Sequence, residues 1–298
     1  MLMAWVLYSL LLYFLGRALM PGWIRFMENH RLTDSNYNGD RIPTAGGLFI
    51  VMMLVIHSLV IQGIAYGKPT AGSQGINLAL PNVYTLGAVT VAFLGFLDDT
   101  VGHKTPKGFT GHWGLWKEHR VVSTGTVKAG GIAVAAMLFV LRGDTDLSAP
   151  WGWVALQWLC IVLAANGINL LDTRPGRAFK GFGALYLLAT AVMMLNDQGH
   201  RQDFLVMSLP VLVSMALLLG ADLKGQIMLG DTGANLLGFV LGCWIVQATG
   251  WKLQLLLLAG FILLHAITWR HSLSRLIDNH RWLSWLDSLG RESGPEKN

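Results

Sequence analysis

The feature that most constrains this chain is the recurrence of apolar runs along its whole length. Segments 2–20, 44–64, 83–97, 127–141, 151–171, 182–195, 204–221, 234–249 and 253–269 are nearly free of charge. A run of about 20 such residues crosses a bilayer as a helix, because a helix satisfies its own backbone hydrogen bonds where there is no water to do so. Only 13% of the 298 residues are charged and 53% are hydrophobic, whereas a soluble domain carries about 25% charge. The sequence therefore predicts an all-α integral membrane protein, a polytopic bundle of about nine transmembrane helices. The lipid bilayer is its surroundings, and no nucleic acid is expected as a partner. The first run, Met1–Leu15, lacks a basic leader and a small-residue cleavage site, so it is expected to be retained. Cys160 and Cys243 lie inside apolar runs and read as small buried residues, not as a disulfide or metal ligands.

Charge in the connecting segments alternates. Segments 21–42, 98–128, 172–181, 222–233 and 270–298 hold 17 of the 22 Lys and Arg residues; Lys68, Arg142, Arg201 and Lys252 lie on the other side. The positive-inside rule puts the first set in the cytoplasm, with the N-terminus outside and the C-terminus inside. Residues 65–82, rich in Gly and small polar residues, read as an irregular external connector. The chain divides into a polytopic domain, 1–270, and a cytoplasmic amphipathic tail, 271–298. In the tail, Leu273, Leu276, Ile277, Leu283, Leu286 and Leu289 fall near one helical stripe, and Trp282 and Trp285 suit the headgroup level.

Residues 166–181 organise the rest. Asn166, Asn169 and Asp172 are three apart at the end of the run Trp151–Ala165, so they stack on one helical face. Polar groups on an apolar helix are costly unless they meet a partner or a wet cavity. Pro175 and Gly176 then end the helix, and Arg174, Arg177 and Lys180 follow at once. An acid beside three cations suits a phosphorylated ligand and its metal; a helix end with a positive-inside anchor is the plainer alternative.

Three more clusters close or open runs on the same side. Gly95-Phe96-Leu97-Asp98-Asp99 ends the third run, and adjacent carboxylates suit a hard cation such as Mg²⁺ or simply a solvated helix end. Gly230-Asp231-Thr232-Gly233 opens the eighth, where free backbone N–H groups can approach a phosphate, or where Asp or Thr serves as an N-cap. Arg41-Ile42-Pro43-Thr44-Ala45-Gly46-Gly47 enters the second with one cation and a tight Gly-Gly. Independent caps have no reason to gather on one membrane face.

In this order and at these run ends, Arg41–Gly47, Gly95–Asp99, Asn166–Asp172 and Gly230–Gly233 resemble the motifs of the polyprenyl-phosphate N-acetylhexosamine-1-phosphate transferases. That family, glycosyltransferase family 4, includes phospho-N-acetylmuramoyl-pentapeptide transferase. The resemblance implies transfer of a sugar 1-phosphate from a nucleotide sugar, UDP-linked in the family, to a polyprenyl (undecaprenyl) phosphate. The reaction would start a lipid-linked envelope glycan at the cytoplasmic face of the inner (plasma) membrane. It implies Mg²⁺ dependence with Asp231 as metal ligand, and Asp98, Asp99 and Asp172 as catalytic acids, Asp98 as base or phosphate-positioning group. Arg41, Lys128, Asn166, Asn169, Arg174 and Arg177 are the expected substrate-binding residues, Lys128 for a lipid or nucleotide phosphate. A homodimer is a candidate assembly.

The sequence departs from the family where the family reads its nucleotide. The second aspartate of the fifth-run motif is Pro175, and Met228 stands where some members place a stacking Phe. The His-x-His-His cluster of the last cytoplasmic loop is absent, His265, His271 and His280 are too dispersed to replace it, and no tenth run follows. Metal and phosphate parts are kept, while Arg174 and Arg177 occupy the nucleotide-reading stretch. The alternative is a non-catalytic homologue that binds a lipid-linked or nucleotide ligand in an envelope-synthesis complex. A transporter is disfavoured, since its ionisable groups belong near mid-membrane.

Overall fold

A computed structural model describes residues 2–66, 78–102, 122–142, 150–196 and 201–291. Much of the connector expected over 65–82 and of the basic segment 98–128 lies outside them. Among the described residues, eight helices are long and apolar enough to cross a membrane: α1 (Leu2–Asn29), α2 (Gly47–Tyr66), α3 (Ala79–Val101), α4 (Thr124–Arg142), α5 (Trp151–Leu171), α6 (Arg177–Asn196), α7 (Arg201–Leu223) and α9 (Trp251–Arg270). A ninth long helix, α8 (Gly230–Ala248), carries a polar first turn and is not among these eight. The chain is a multi-pass, all-α membrane protein, as the apolar runs predicted.

Helix α8 is the hub. Every residue from Thr232 to Val246 is buried, and it packs against α3 and α5 most extensively and against α2, α4, α6 and α7 as well. A helix buried on all sides need not face lipid, so its hydropathy is free to fall. Toward its C-terminal end Trp244 lies among Tyr84, Phe182, Tyr186 and Phe204, with ring centroids 5.2–6.4 Å away. Small residues let the neighbours approach: a Cβ on Gly47 would collide with the backbone of Gly233, so α2 and α8 touch main chain to main chain. By contrast α1 and α9 are peripheral and leave leucines such as Leu7, Leu11, Leu256 and Leu263 exposed, as lipid-facing helices do.

The helices run further than the apolar runs. α3 continues through Asp98 and Asp99, and α8 begins at Gly230 instead of 234. The polar ends stay helical because their side chains bond to neighbouring helices. Between α1 and α2 lies a small antiparallel hairpin, β1 (Thr33–Ser35) with β2 (Arg41–Pro43). The Asn36 side chain accepts the N–H groups of Asn38 and Asp40, both at 2.9 Å, which closes its turn. Backbone bonds from Met228 N to Pro43 O (2.8 Å) and Gly46 N to Met228 O (2.9 Å) seat the hairpin against the α7–α8 connection. Two short helices, α10 (Leu273–Asp278) and α11 (Arg281–Ser288), form the tail after α9.

Candidate functional site

The C-terminal ends of α3, α5 and α7 and the N-terminal ends of α2, α4 and α8 meet at one end of the bundle, as the bonds below show. They enclose a cleft of about 420 Å³ lined by Asp99, Asp172, Thr173, Arg174, Pro175, Asp222, Met228, Gly230 and Asp231, with Asp34 to Tyr37, Ile42 and Thr44 from the hairpin segment. Carboxylates dominate this lining.

Lys128, in the second turn of α4, joins two helices whose acids, Asp98 and Asp231, are far apart in the chain. Its ammonium lies 2.6 Å from Asp98 Oδ2 on α3 and also bonds Asp231 Oδ2 on α8. Thr124 Oγ1 donates to the other Asp98 oxygen at 2.5 Å. Both Asp98 oxygens are therefore held by α4. An ammonium between two acids at the membrane edge offsets their repulsion where solvent is partly excluded.

Asp99 does something the sequence did not suggest. Its Oδ1 accepts the Asp231 N–H at 2.9 Å, and its Oδ2 accepts the Thr232 N–H at 2.9 Å and the Thr232 hydroxyl at 2.6 Å. α8 has no side-chain cap of its own, so Asp99 caps it from another helix. The expectation that these N–H groups are free to cradle a phosphate is thereby corrected: a carboxylate occupies them. Gly230, at φ +66, permits the approach, because a Cβ there would come within 2.7 Å of Asp99 Oδ2.

Asp172 follows the last residue of α5 and lines the same cleft. Burial lifts its carboxyl well above the usual range, and the nearby charges of Asp222, Asp231 and Asp99 push it the same way. Asp222, which the sequence reading passed over, is buried on α7 and accepts the Gly176 N–H at 2.5 Å. Its signal was an acid at the end of an apolar run, but without a motif beside it. This surplus of negative charge, on oxygen donors alone, fits a hard divalent cation. Among the described residues no three His, Cys, Asp or Glu side chains form a complete metal site. Asp172 and Asp231 would be protein ligands, and a bound phosphate and water would fill the rest, as such cations accept.

Other expected substrate-binding residues are placed elsewhere. Arg41 is exposed on β2, and Ile42 and Thr44 line the cleft in its stead. The Asn166 amide bonds His265 Nε2 on α9 at 2.8 Å, while His265 Nδ1 bonds the Phe261 carbonyl oxygen at 2.7 Å. Asn166 is thus paid for by a helix–helix contact. Asn169 contributes its carbonyl oxygen, which accepts the Asp172 N–H at 3.1 Å. Arg177 departs most from expectation. It is buried, and its guanidinium donates to Asp287 (2.7 and 2.9 Å), Thr173 Oγ1 (2.7 Å) and Ser274 Oγ (3.0 Å). Four of its five N–H donors are committed to these partners, and Arg177 is not among the residues that line the cleft. Arg174 does line the cleft, and it pairs with Asp278 through two bonds of 2.8 Å. Pro175 and Met228 both line the cleft.

The chain is 27% identical over 255 residues to phospho-N-acetylmuramoyl-pentapeptide-transferase of Rhodopseudomonas palustris (strain BisB18), covering 76% of this chain and 64% of that protein. It is 26% identical over 287 residues to the protein of that name from Shouchella clausii (strain KSM-K16), covering 88% and 81%. The matched region therefore spans just under two thirds of the first of these relatives. Residues 82–249 match the model of glycosyl transferase family 4. They run from α3 through α8 and include Asp98, Asp99, Lys128, Asp172 and Asp231, so the chain belongs to glycosyl transferase family 4.

Proposed function

We propose that this protein transfers a sugar 1-phosphate from a nucleotide sugar, UDP-linked by analogy, to a polyprenyl phosphate at the cytoplasmic membrane face. The observation that carries the reading is the bridge of Lys128 between Asp98 and Asp231 beside Asp172. It joins a cation and carboxylates from separate helices at the end of the bundle where Asp231 and Asp172 line the cleft. Such groups suit binding and charge compensation of phosphates. The relatives are named phospho-N-acetylmuramoyl-pentapeptide-transferase, and the charge asymmetry of the connecting segments supports the cytoplasmic side.

In the proposed reaction an oxygen of the lipid phosphate attacks the β-phosphorus of the donor. One P–O bond forms, the bridging P–O bond breaks, and nucleoside monophosphate leaves with the bridging oxygen. A phosphate is already ionised near neutral pH, so no strong base is required. Asp98, with both oxygens bonded, suits holding Lys128 better than removing a proton. Lys128 is placed to meet phosphate charge, and Asp99 keeps the first turn of α8, with Asp231 on it, in place. Asp172 and Asp231 would hold Mg²⁺, which would offset charge on the transferring group. Orientation of the two substrates supplies much of the rest.

The test is direct. Purified protein with Mg²⁺, undecaprenyl phosphate and a panel of nucleotide sugars should release nucleoside monophosphate with at least one donor. Binding of a donor without release from any of them would establish the non-catalytic homologue instead.

A further inference from the structure

The cleft wall Thr173–Pro175 is not held by the bundle alone. Its outer side is bonded to the tail at several points. Arg174 pairs with Asp278, and Arg177, just beyond the wall, with Asp287 and Ser274. Lys180 Nζ donates to the carbonyl oxygens of Leu286 (3.1 Å) and Asp287 (2.6 Å), near the C-terminal end of α11 where the helix dipole is negative. Arg291 Nη2 donates to the carbonyl oxygens of Pro175 (3.2 Å) and Asp287 (3.0 Å) and lies 3.1 Å from Asp287 Oδ2.

Asp287 is the centre of these bonds, and it is out of character with its helix. α11 exposes Trp282 and Trp285, 64% and 62% accessible, on a segment that begins two residues after α9 leaves the membrane. An interfacial helix needs an apolar face and a polar one, but not a buried acid, which costs several kcal/mol unless paired. Asp287 is nevertheless only 7% exposed. Its burial favours the protonated form, yet the Arg177 and Arg291 guanidinium groups hold the carboxyl down at about 2. It is held as an anion at neutral pH by the Arg177 fork and by Nη2 of Arg291.

We infer that Asp287 is a positioning residue for the cleft: through Arg177 and Arg291 it fixes the Thr173–Pro175 wall against which the donor binds. The donor half of the inference rests on the transferase reading, whereas the ordering of the wall does not. Arg291 carries the link to the Pro175 carbonyl, and Arg177 the link to the Thr173 hydroxyl.

The experiment uses the full chain in lipid nanodiscs, as the parent, Asp287→Asn, Asp287→Glu and Arg291→Gln. Backbone hydrogen exchange at 173–177 should quicken about tenfold in Asp287→Asn, while the first turn of α8 stays within about twofold of the parent. The donor KM should rise about fivefold with kcat within about twofold, because the wall binds but does not react. Asp287→Glu should recover part of both effects, and Arg291→Gln should reproduce both in weaker form. Unchanged exchange at 173–177, or equal quickening throughout the bundle, overturns the inference. Faster exchange with an unchanged donor KM overturns its donor half. If Asp287→Asn does not fold, Arg291→Gln decides by the same readings. If the parent releases no nucleotide, the transferase reading fails, and exchange alone still decides whether Asp287 orders the wall.

Discussion

On the α3–α4–α8 side of the cleft Lys128, Asp98 and Asp99 bond across to another long helix, whereas on the Thr173–Lys180 side the arginines and Lys180 reach outward to the tail. Lys128, Asp98 and Asp99 tie helix ends together and at the same time present charge to the cleft or its edge. Arg177 and Lys180 hold a wall but give their donors to Asp287 and to carbonyl oxygens. Charge near a site therefore has two uses, and the partner, not the residue type, tells them apart. The first wall should fail in chemistry when altered, and the second in order.

The largest effect is expected from Lys128→Ala. It leaves two carboxylates facing each other without a cation, so stability should fall on the order of 3 kcal/mol. Nucleoside monophosphate release should fall about a hundredfold or more, counted per folded molecule. Thermal melting in nanodiscs with the release assay checks both, and full release with a lowered melting point would merge the two walls into one structural class.

Arg177→Lys comes next and sharpens the contrast. Charge is kept but the fork to Asp287 and the bonds to Thr173 and Ser274 are lost, which should cost about 2 kcal/mol. Because Arg177 does not face the cleft, kcat should stay within about twofold. A large loss of kcat without loss of stability would return Arg177 to the substrate.

A smaller effect is expected with pH. Asp172 is raised by burial and then by its acidic neighbours, so its protonated form is the one the fold favours. The stability it contributes is full below the ordinary carboxylate value and is lost as pH rises through the raised one. A divalent cation takes the place of the proton, so the rise in melting temperature caused by Mg²⁺ should grow with pH. Asp172→Asn should flatten that dependence; an Mg²⁺ shift that ignores pH in the parent would remove Asp172 from the metal site.

The smallest effect belongs to Arg174→Ala. Its pair with Asp278 is partly exposed, with 28% and 43% side-chain accessibility, so stability should change by less than about 1 kcal/mol. Since Arg174 also lines the cleft, the donor KM should rise, more steeply at low salt than at high. No change in KM at any salt concentration would assign it wholly to the tail.

How much of this was legible in the sequence follows from where partners lie. The helical class was plain, because a 20-residue apolar run has one solution in a bilayer. The acids at the run ends were visible because membrane helices carry so few. Three kinds of contact were not legible. Asp99 was visible as an acid but not as a cap, since the N–H groups it accepts are 132 and 133 residues away. Arg177 was visible as a cation, yet its partner Asp287 is 110 residues on, in a tail that reads as a lipid-surface helix. Gly233 suggested phosphate approach and Gly47 a close backbone approach of an unnamed partner, whereas here the two let α2 and α8 touch. Tertiary pairing, not local pattern, decided each of these.

The central claim is that one cleft, with Asp231 and Asp172 in it, performs the transfer. Nucleoside monophosphate release by Asp231→Asn and Asp172→Asn tests it most directly, measured against the parent at equal folded protein and saturating Mg²⁺. Both substitutions keep side-chain size and remove the charge a hard cation needs. The account predicts that release falls at least about a hundredfold in each, with melting temperatures near the parent's. Release close to the parent's in both variants would contradict it, and would move the chemistry away from this cleft.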